Sequence, residues 1–295
     1  MRGLGAVLGA IRIGGRWSAE EQNNHINTLE MMAIFLALKS FTAEISNNHI
    51  MILCDNTTAV SYITKMGGIK STSCNKVSKQ IWLFCIKNKI WLSCSHIAGK
   101  QNILADFKSR KFNDQLEWKL NQKCFNKLCA IWQLLDIDLF ESRLNFQVEK
   151  LCSWKPDPQS EFINAFTVDW GIFYFIYLFP PFSLLNRCIR KIKTDKASGM
   201  IIVPYWPTQL WFPALMEIVT NNPIVINRKK NVLTLPHRDQ QHPLGQKLTL
   251  FACRVSGKMS KVEDFLKHQQ IFSCHHGNIP RKNSMIHSSK MVCLL

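Results

Sequence analysis

Residues 49–65 read HIMILCDNTTAVSYITK, and this stretch decides the fold class. Its first six residues are apolar apart from His49, which is typical of a short buried β-strand. Asp55 ends the strand, and a helical pattern follows over residues 57–65. A strand that leads straight into a helix indicates an α/β layer, with polar residues gathered where the strand ends.

The same alternation continues on both sides of this stretch. Upstream, residues 4–13 (LGAVLGAIRI) resemble a strand closed by Gly14 and Gly15, and a helix with Asn27 as its N-cap follows. Downstream, the pattern predicts a helix over 72–87, a strand over 90–96 and a helix over 102–110. This order predicts a mixed sheet flanked by helices.

The rest of the chain divides into three predicted regions. Residues 113–134 contain an amphipathic connector helix, predicted over 117–134. Residues 135–222 are rich in Trp, Phe and Pro and predict a smaller α/β unit, with 170–182 (WGIFYFIYLFPPF) as buried strands. Residues 223–295 are expected to form a basic, poorly structured tail. The first domain, which precedes all three regions, is expected to span residues 1–112.

Charge separates the middle of the chain from its two ends. The net charge is +17, from 37 Lys and Arg against 20 Asp and Glu. Residues 1–110 carry +7, residues 111–220 carry +1 and residues 221–295 carry +9. A basic excess favours a polyanionic partner, because each neutralised phosphate releases counterions. A nucleic-acid partner is therefore expected at the ends, and the alternative is a basic surface that only aids solubility.

Cysteine usage and hydropathy bear on the compartment. The 11 cysteines form no Cys-x-x-Cys pair, and no signal peptide opens the chain. We therefore expect an intracellular protein, cytoplasmic or nuclear and not secreted, with no membrane segment. Cys274, His275 and His276 lack the spacing of a zinc finger, so no zinc site is predicted there.

Three acidic residues stand in unusual contexts. Glu30 lies in the first turn of an apolar helix (NTLEMMAIFLAL, 27–38), Asp55 ends a buried strand, and Asp106 lies in a helix after His96. Each has an ordinary structural explanation. Glu30 can complete a capping box, Asp55 can cap the next helix, and Asp106 can be a solvated helix acid.

Taken in order, these motifs resemble the type I ribonuclease H family. The motifs are Leu29-Glu30-Met31, then Asp55-Asn56, then His96 followed by Gly99, Asn102 and Asp106. The resemblance implies Glu30, Asp55 and Asp106 as ligands of two Mg²⁺ ions and His96 as a mobile auxiliary base. It also implies an RNA–DNA hybrid as substrate, contacted by Asn56, Thr57, Lys100 and Asn102.

One departure from that family concerns the opening strand. The family places its first catalytic Asp on a central strand, a few residues before a Gly-x-Gly-Ala turn, and here Gly3-Leu4-Gly5-Ala6 directly follows Met1-Arg2. We therefore expect a sheet without its central strand, an incomplete Mg²⁺ site, very low cleavage and reduced stability. A non-catalytic nucleic-acid-binding remnant and a pseudogene-like product without a role remain the alternatives.

Longer phrases resemble one class of retroelement. GGRWSAEEQNNHINTLEMMAI, DNTTAVSYITKMGGIKS and HIAGKQNILADFKSR resemble the ribonuclease H segment of DIRS-type retrotransposons, over residues 3–112. Residues 135–215 resemble the Dam-type adenine methyltransferase segment of those elements. There the family's Asp/Asn-Pro-Pro-Tyr/Phe loop reads Phe179-Pro180-Pro181-Phe182, without a polar first residue, which favours a structural or DNA-contacting relic over a methyltransferase.

Overall fold

The chain forms two compact units that each alternate strands and helices. The computed structural model describes residues 3–112, 117–132, 135–226, 232–236, 242–244, 247–273 and 292–294. The first unit is Met1–Gln115 with Lys155–Ser160, and the second is Leu116–Trp154 with Glu161–Leu295. These elements confirm the predicted mixed α/β fold class. In the part of the chain described, no helix is long and apolar enough to cross a bilayer.

The first unit has four strands and five helices among its described residues. In chain order they are β1 (Gly3–Leu8), β2 (Ile11–Arg16), α1 (Ile26–Ser40), α2 (Thr42–Ile45), β3 (His49–Cys54), α3 (Thr57–Thr64), α4 (Thr72–Lys87), β4 (Trp91–His96) and α5 (Ile103–Arg110).

Strands β1 and β2 form an antiparallel hairpin rather than the single strand predicted over 4–13. Leu8 pairs with Ile11, so the turn has two residues, and Gly9 adopts φ = 56° there. A glycine reaches this left-handed conformation without the steric cost that a side chain would add. Gly14 lies inside β2, where a Cβ atom would stand 2.5 Å from the carbonyl oxygen of Lys108 in α5. It therefore permits close packing and ends no strand.

Strands β3 and β4 form a parallel pair, in register from His49 opposite Trp91 to Cys54 opposite His96. Helix α1 packs against β1, α3 and α4, and the core between these elements contains fully buried side chains. The largest of them are Trp17, Met31, Ile63 and Ile81. The pair places the ends of β3 and β4, and hence Asp55 and His96, at the same edge.

Among the described residues, the two strand pairs are separate two-stranded sheets. A cavity of about 380 Å³ is lined by Gly5–Leu8 of β1, residues 50–54 of β3 and side chains of α1 and α5. We call this cavity the slot. The slot is bordered by β1 on one side and by β3 on the other.

The described elements of the second unit are β5 (Lys119–Leu120), α6 (Gln122–Trp132), β6 (Ile137–Asp138), β7 (Cys152–Ser153), β8 (Phe162–Ile163), β9 (Ile176–Leu178), α7 (Leu185–Thr194), β10 (Ser198–Pro204), α8 (Trp211–Met216), β11 (Ile224–Ile226), β12 (Leu233–Thr234), β13 (Leu250–Ser256), α9 (Met259–Ser273) and β14 (Val292–Leu294). Six of the strands form one sheet in the order β14-β11-β13-β10-β9-β6.

Strand β10 (SGMIIVP) is buried along its whole length. It runs antiparallel to β13 and parallel to β9. Ile201 and Val203 enter one apolar cluster, and Met200 and Ile202 enter another. The sheet therefore has a core on each face, which explains why its strands read as continuous apolar runs.

Three regional predictions differ from the structure. The connector helix is shorter than expected (α6), and its Phe125 and Leu128 are buried in the second unit's core. The predicted tail contributes β11, β13 and α9, because β13 pairs antiparallel with β10 and its apolar side chains enter the core. It also contains β12 and β14, whereas Cys274 to His276 lie outside the described part. Residues 170–182 contain one short strand, β9, and Tyr174 is 78% exposed, so only part of that run is buried strand.

Candidate metal centre

The position of Asp55 is set by the turn from β3 into α3. Asn56 is the N-cap of α3, where its Oδ1 accepts a hydrogen bond from the N–H of Ala59 at 2.9 Å. Its Nδ2 donates to Oδ1 of Asn27 in the first turn of α1 at 3.0 Å. This side chain therefore ties the Asp55 turn to the helix that carries Glu30.

The N-cap of α1 is His25, so the prediction of Asn27 as N-cap is wrong. The His25 Nδ1 accepts from the N–H of Asn27 at 3.2 Å. The reason is that the helix begins at Ile26, one residue before the expected cap, which leaves the Asn27 amide to bind Asn56. Glu30 therefore does not form a capping box with Asn27.

Glu30 and Asp55 come together at the end of β3. One ligand atom each of Glu30, Cys54 and Asp55 lies within 4.8 Å of the others. Glu30 is half-buried and lines the slot, whereas Asp55 is exposed. The turn that contains Gly99 borders the pair, since a Cβ atom on Gly99 would lie 3.5 Å from the Asp55 Oδ2.

The environment of the pair disfavours charge on Glu30. Burial, with the neighbouring Asp55 and Asp106 carboxylates, raises the pKa of Glu30 from 4.5 to about 7. Burial raises the pKa of the Cys54 thiol to about 11, so its sulfur is protonated at neutral pH. The two carboxylates therefore form the hard-ligand part of the cluster, and a bound cation would relieve their repulsion.

Asp106 lies near the pair but outside the three-residue cluster. Its Oδ1 accepts from the Nε of Arg110 and pairs with the Arg110 Nη2, each at 2.8 Å, one turn along α5. The Asp106 side chain is 46% exposed. The structure thus brings two of the three predicted ligands together and pairs the third with an arginine.

The other predicted residues surround this centre in different ways. His96 is exposed at the end of β4, opposite Cys54 in the strand register. Thr57 and Lys100 are exposed, in the first turn of α3 and in the 3-10 turn Gly99–Gln101. Asn102 is partly buried and lines the slot.

Three neighbours of the carboxylates were not predicted as site residues from the sequence. The sequence predicts Cys54 as a strand residue, Asn27 as a helix cap and Gly99 as part of the motif that follows His96. The sequence does contain a signal for Cys54, because it directly precedes Asp55, the acid at the end of β3. None existed for the bond between Asn27 and Asn56, which joins side chains 29 positions apart.

In the second unit, the Phe-Pro-Pro-Phe loop is packed into the apolar core. Phe179 is 7% exposed, and Phe182 makes edge-to-face contacts with Phe179 and Trp206 at ring distances of 6.4 and 5.3 Å. Two acids of the same unit, Asp138 and Glu141, are also buried, and burial raises the pKa of both carboxyls. Burial therefore favours the neutral form of both carboxyls, with the pKa of Asp138 raised to about 8.

The comparison with known proteins gives a partial match. No family model matches the sequence. Over 99 residues, 34% of its length, the chain is 31% identical to the enzymatic polyprotein of cauliflower mosaic virus, with the same figures for strains D/H, Strasbourg and CM-1841. The chain is distantly similar to a viral enzymatic polyprotein. The aligned segment spans 14% of the viral polyprotein.

Proposed function

We propose that the first unit is a metal-dependent nuclease domain of retroelement origin, which cuts the RNA strand of RNA–DNA hybrids as a ribonuclease H does but with impaired activity. The activity is impaired because only Glu30 and Asp55 contribute carboxylates to the cluster found among the described residues. The observation that carries this proposal is the approach of the Glu30 and Asp55 ligand atoms to within 4.8 Å of each other at the end of β3. The similarity to a viral enzymatic polyprotein supports an origin of this kind. The three long phrases quoted above make a DIRS-type element the source we propose.

The donor set fits a hard divalent cation such as Mg²⁺. Glu30 and Asp55 supply carboxylate oxygens, which Mg²⁺ prefers, while the protonated thiol of Cys54 suits it poorly. Asp106 would join the set once its carboxylate is released from Arg110. When bound, the metal supplies Lewis acidity, which activates a water and stabilises the oxygen that leaves.

The chain's own residues then have separate tasks. The exposed imidazole of His96, at the end of the strand beside β3, can accept and release a proton at this edge. Lys100 and Thr57 are exposed beside the carboxylates and can hold the phosphate backbone. Both polar atoms of the Asn56 amide are already bonded within the protein, so we assign Asn56 to positioning Asp55.

A second candidate is a domain that binds hybrids without cutting them. The pairing of Asp106 with Arg110 favours it, because the pairing leaves only two carboxylates in the cluster. The net charge of +7 over residues 1–110 would still support phosphate binding. The two candidates differ in the role of Asp55. In the first candidate Asp55 is needed for cleavage, and in the second it contributes only to the fold.

Cleavage of a labelled RNA–DNA hybrid in Mg²⁺ tests the proposal, with binding of the same hybrid measured in parallel. We expect Asp55→Asn and Glu30→Gln to abolish cleavage and to leave hybrid binding within about threefold, because phosphate contacts carry most of the affinity. Glu44→Gln, an exposed glutamate of α2, is the matched control. Arg110→Ala should raise cleavage, since it releases the Asp106 carboxylate.

Binding without cleavage by the chain and by Arg110→Ala would favour the second candidate. Cleavage that survives both Asp55→Asn and Glu30→Gln would refute the carboxylate assignment. For the second unit we propose a structural or DNA-contacting role, since an apolar Phe179 stands where the methyltransferase loop has a polar residue. Saturable binding of S-adenosylmethionine would contradict that role.

A further inference from the structure

Two carboxyl groups of the second unit lie in its interior. Asp138, at the end of β6, is 0% exposed, and Glu141, three residues later, is 2% exposed. Acidic side chains are almost never buried to this extent unless another group neutralises or pairs with them. The burial of both acids therefore calls for protons or for a partner of opposite charge.

Each of these carboxyls is anchored by the protein through one of its oxygens. The Asp138 Oδ2 accepts a hydrogen bond from the N–H of Gln147 at 3.2 Å, and Glu141 accepts one from the Asn145 side chain. The other two oxygens, Asp138 Oδ1 and Glu141 Oε2, are buried and have no hydrogen-bond partner among the described residues. Each carboxyl therefore offers one oxygen to a further partner.

Two neutral oxygens lie beside these acids. Tyr177 of β9 pairs with Asp138 of β6, so the two side chains are neighbours on one face of the sheet. The Tyr177 hydroxyl is fully buried, and both Asp138 and Glu141 act on it electrostatically. The Gln147 side chain approaches this hydroxyl without good hydrogen-bond geometry, and neither the hydroxyl nor the Gln147 Oε1 has a partner in the described part of the chain. We call Asp138 Oδ1, Glu141 Oε2, Gln147 Oε1 and Tyr177 Oη the oxygen cluster.

The charges around the oxygen cluster favour a divalent cation. Besides Asp138, the side chains of Glu117 and Lys119 act electrostatically on Glu141. When all four are ionised, these side chains carry a net charge of −2. The Cys152 thiol beside Asp138 adds no charge, because burial raises its pKa to about 12. One divalent cation would therefore neutralise the group.

We propose that the oxygen cluster binds a calcium ion inside the second unit. Ca²⁺ takes six to eight oxygen ligands at about 2.3–2.6 Å in a flexible geometry, and carboxylate and amide oxygens are among those it prefers. The oxygen cluster would supply part of that set, and main-chain carbonyl groups would complete it. Mg²⁺ suits a buried site less well, because it gives up its bound waters reluctantly. Nothing in this proposal requires nuclease activity.

Water and protons satisfy the oxygen cluster less completely. A water molecule can donate hydrogen bonds, but it carries no charge and would leave two buried carboxylates without a counter-charge. A carboxyl proton serves one acceptor at a time, whereas a cation contacts all its oxygen ligands together. Because burial raises the pKa of both acids, protons occupy them in the absence of a cation, and Ca²⁺ must displace these protons to bind.

Calorimetry of Ca²⁺ binding to the full chain with Asp55→Asn tests the proposal, since this substitution removes a proposed ligand of the first unit and leaves the second unit unchanged. We expect saturable binding that is at least about tenfold tighter for Ca²⁺ than for Mg²⁺. The affinity for Ca²⁺ should be higher near pH 8.5 than near pH 6.5, because protons compete for the carboxylates. Hydrogen exchange of amides in β6 and β9 should slow when Ca²⁺ binds.

Two substitutions in the same background separate the oxygen cluster from other acidic groups. Glu141→Gln removes one charge and keeps the shape of the side chain, and Tyr177→Phe removes only the hydroxyl and keeps the ring, which contacts Phe125 edge-to-face at 5.1 Å. The control is Glu149→Gln, an exposed glutamate of the same segment. Relative to it, we expect Glu141→Gln to weaken Ca²⁺ binding at least about tenfold and Tyr177→Phe at least about threefold. Hydrogen exchange of β10 and α7 checks that the variants remain folded.

Three results would overturn the proposal. One is the absence of saturable Ca²⁺ binding by the Asp55→Asn chain, which would leave protons or water as the partners of the oxygen cluster. Another is equal binding by Glu141→Gln and Glu149→Gln, and the third is equal affinity for Ca²⁺ and Mg²⁺. Absence of hybrid cleavage by the wild-type chain, with Ca²⁺ binding intact, would refute the proposed function and leave the calcium site standing.

Discussion

Replacing Glu30 with glutamine should change how the stability of the first unit depends on pH. Burial, with Asp55 and Asp106, raises the pKa of Glu30 from 4.5 to about 7 in the folded protein. The unfolded chain therefore loses this proton near pH 4.5 and the folded chain near pH 7. Between those values the folded state holds more protons, so the free energy of unfolding falls as pH rises.

The size of the effect follows from the pKa difference. A shift of about 2.5 units corresponds to roughly 3.4 kcal/mol if it is fully expressed. Glu30 is only half-buried, so solvent screening reduces our expectation to about 2 kcal/mol. The penalty is absent below pH 4.5 and complete above pH 7. Glu30→Gln carries no such charge, so its stability should exceed that of the wild type by this amount at pH 8, relative to pH 4.

Hydrogen exchange of amides in α1 measures the opening free energy of this part of the protein at each pH. Glu44→Gln should follow the wild-type pH dependence. Saturating Mn²⁺ or Mg²⁺ should remove the penalty in the wild type, because the cation stabilises the charged carboxylate, and should have little effect on Glu30→Gln. Identical pH slopes for the wild type and Glu30→Gln would show that the Glu30 carboxyl is not perturbed as the structure indicates.

Two further substitutions test the packing of the two units, and a third tests how the stability of the second unit depends on pH. Gly5→Ala would place a Cβ atom 2.0 Å from the carbonyl oxygen of Ala105, and we expect a loss of about 1–3 kcal/mol, measured by urea unfolding. Gly15→Ala, with no atom within 4 Å of its Cβ, should cost little. In the second unit, Leu215→Ala should cost about 2–5 kcal/mol, because Leu215 is 0% exposed, whereas Leu210→Ala should be nearly neutral at 95% exposure. Asp138→Asn should flatten the loss of stability between pH 4 and 8, since burial raises the pKa of Asp138 to about 8; an unchanged pH slope would contradict this.

The sequence predicts the elements of the first unit well because each carries a local signal. The apolar run before Asp55 and the helical pattern after it give β3 and α3, which fixes Asp55 at a strand end. Glu30 lies one turn into α1, close to where that strand ends. Local patterns thus place each acid on its element, whereas the expectation that Glu30 and Asp55 share one site comes from the resemblance to the ribonuclease H family.

Other features depend on contacts that no local pattern reveals. Arg110 takes the Asp106 carboxylate although the spacing of the motif is kept, because an (i, i+4) pair competes with any ligand role. The hairpin turn at Gly9 interrupts a run, residues 4–13, that is apolar except for Arg12. The second unit's sheet needs β13, whose partner β10 lies about fifty positions earlier. The local signals of residues 223–295 are modest, so the sequence alone predicts a tail there.

That long-range pairing has a consequence for synthesis of the protein on the ribosome. Ser198 pairs with Ser256 and Pro204 with Leu250, so β10 leaves the ribosome well before its neighbour. At about 5–20 residues per second, the delay is roughly 2 to 12 s. Throughout that interval one edge of β10, a strand that is buried along its whole length in the folded protein, is uncovered. Nascent chains arrested at residue 222 should therefore recruit chaperones that chains arrested beyond residue 256, once clear of the exit tunnel, do not.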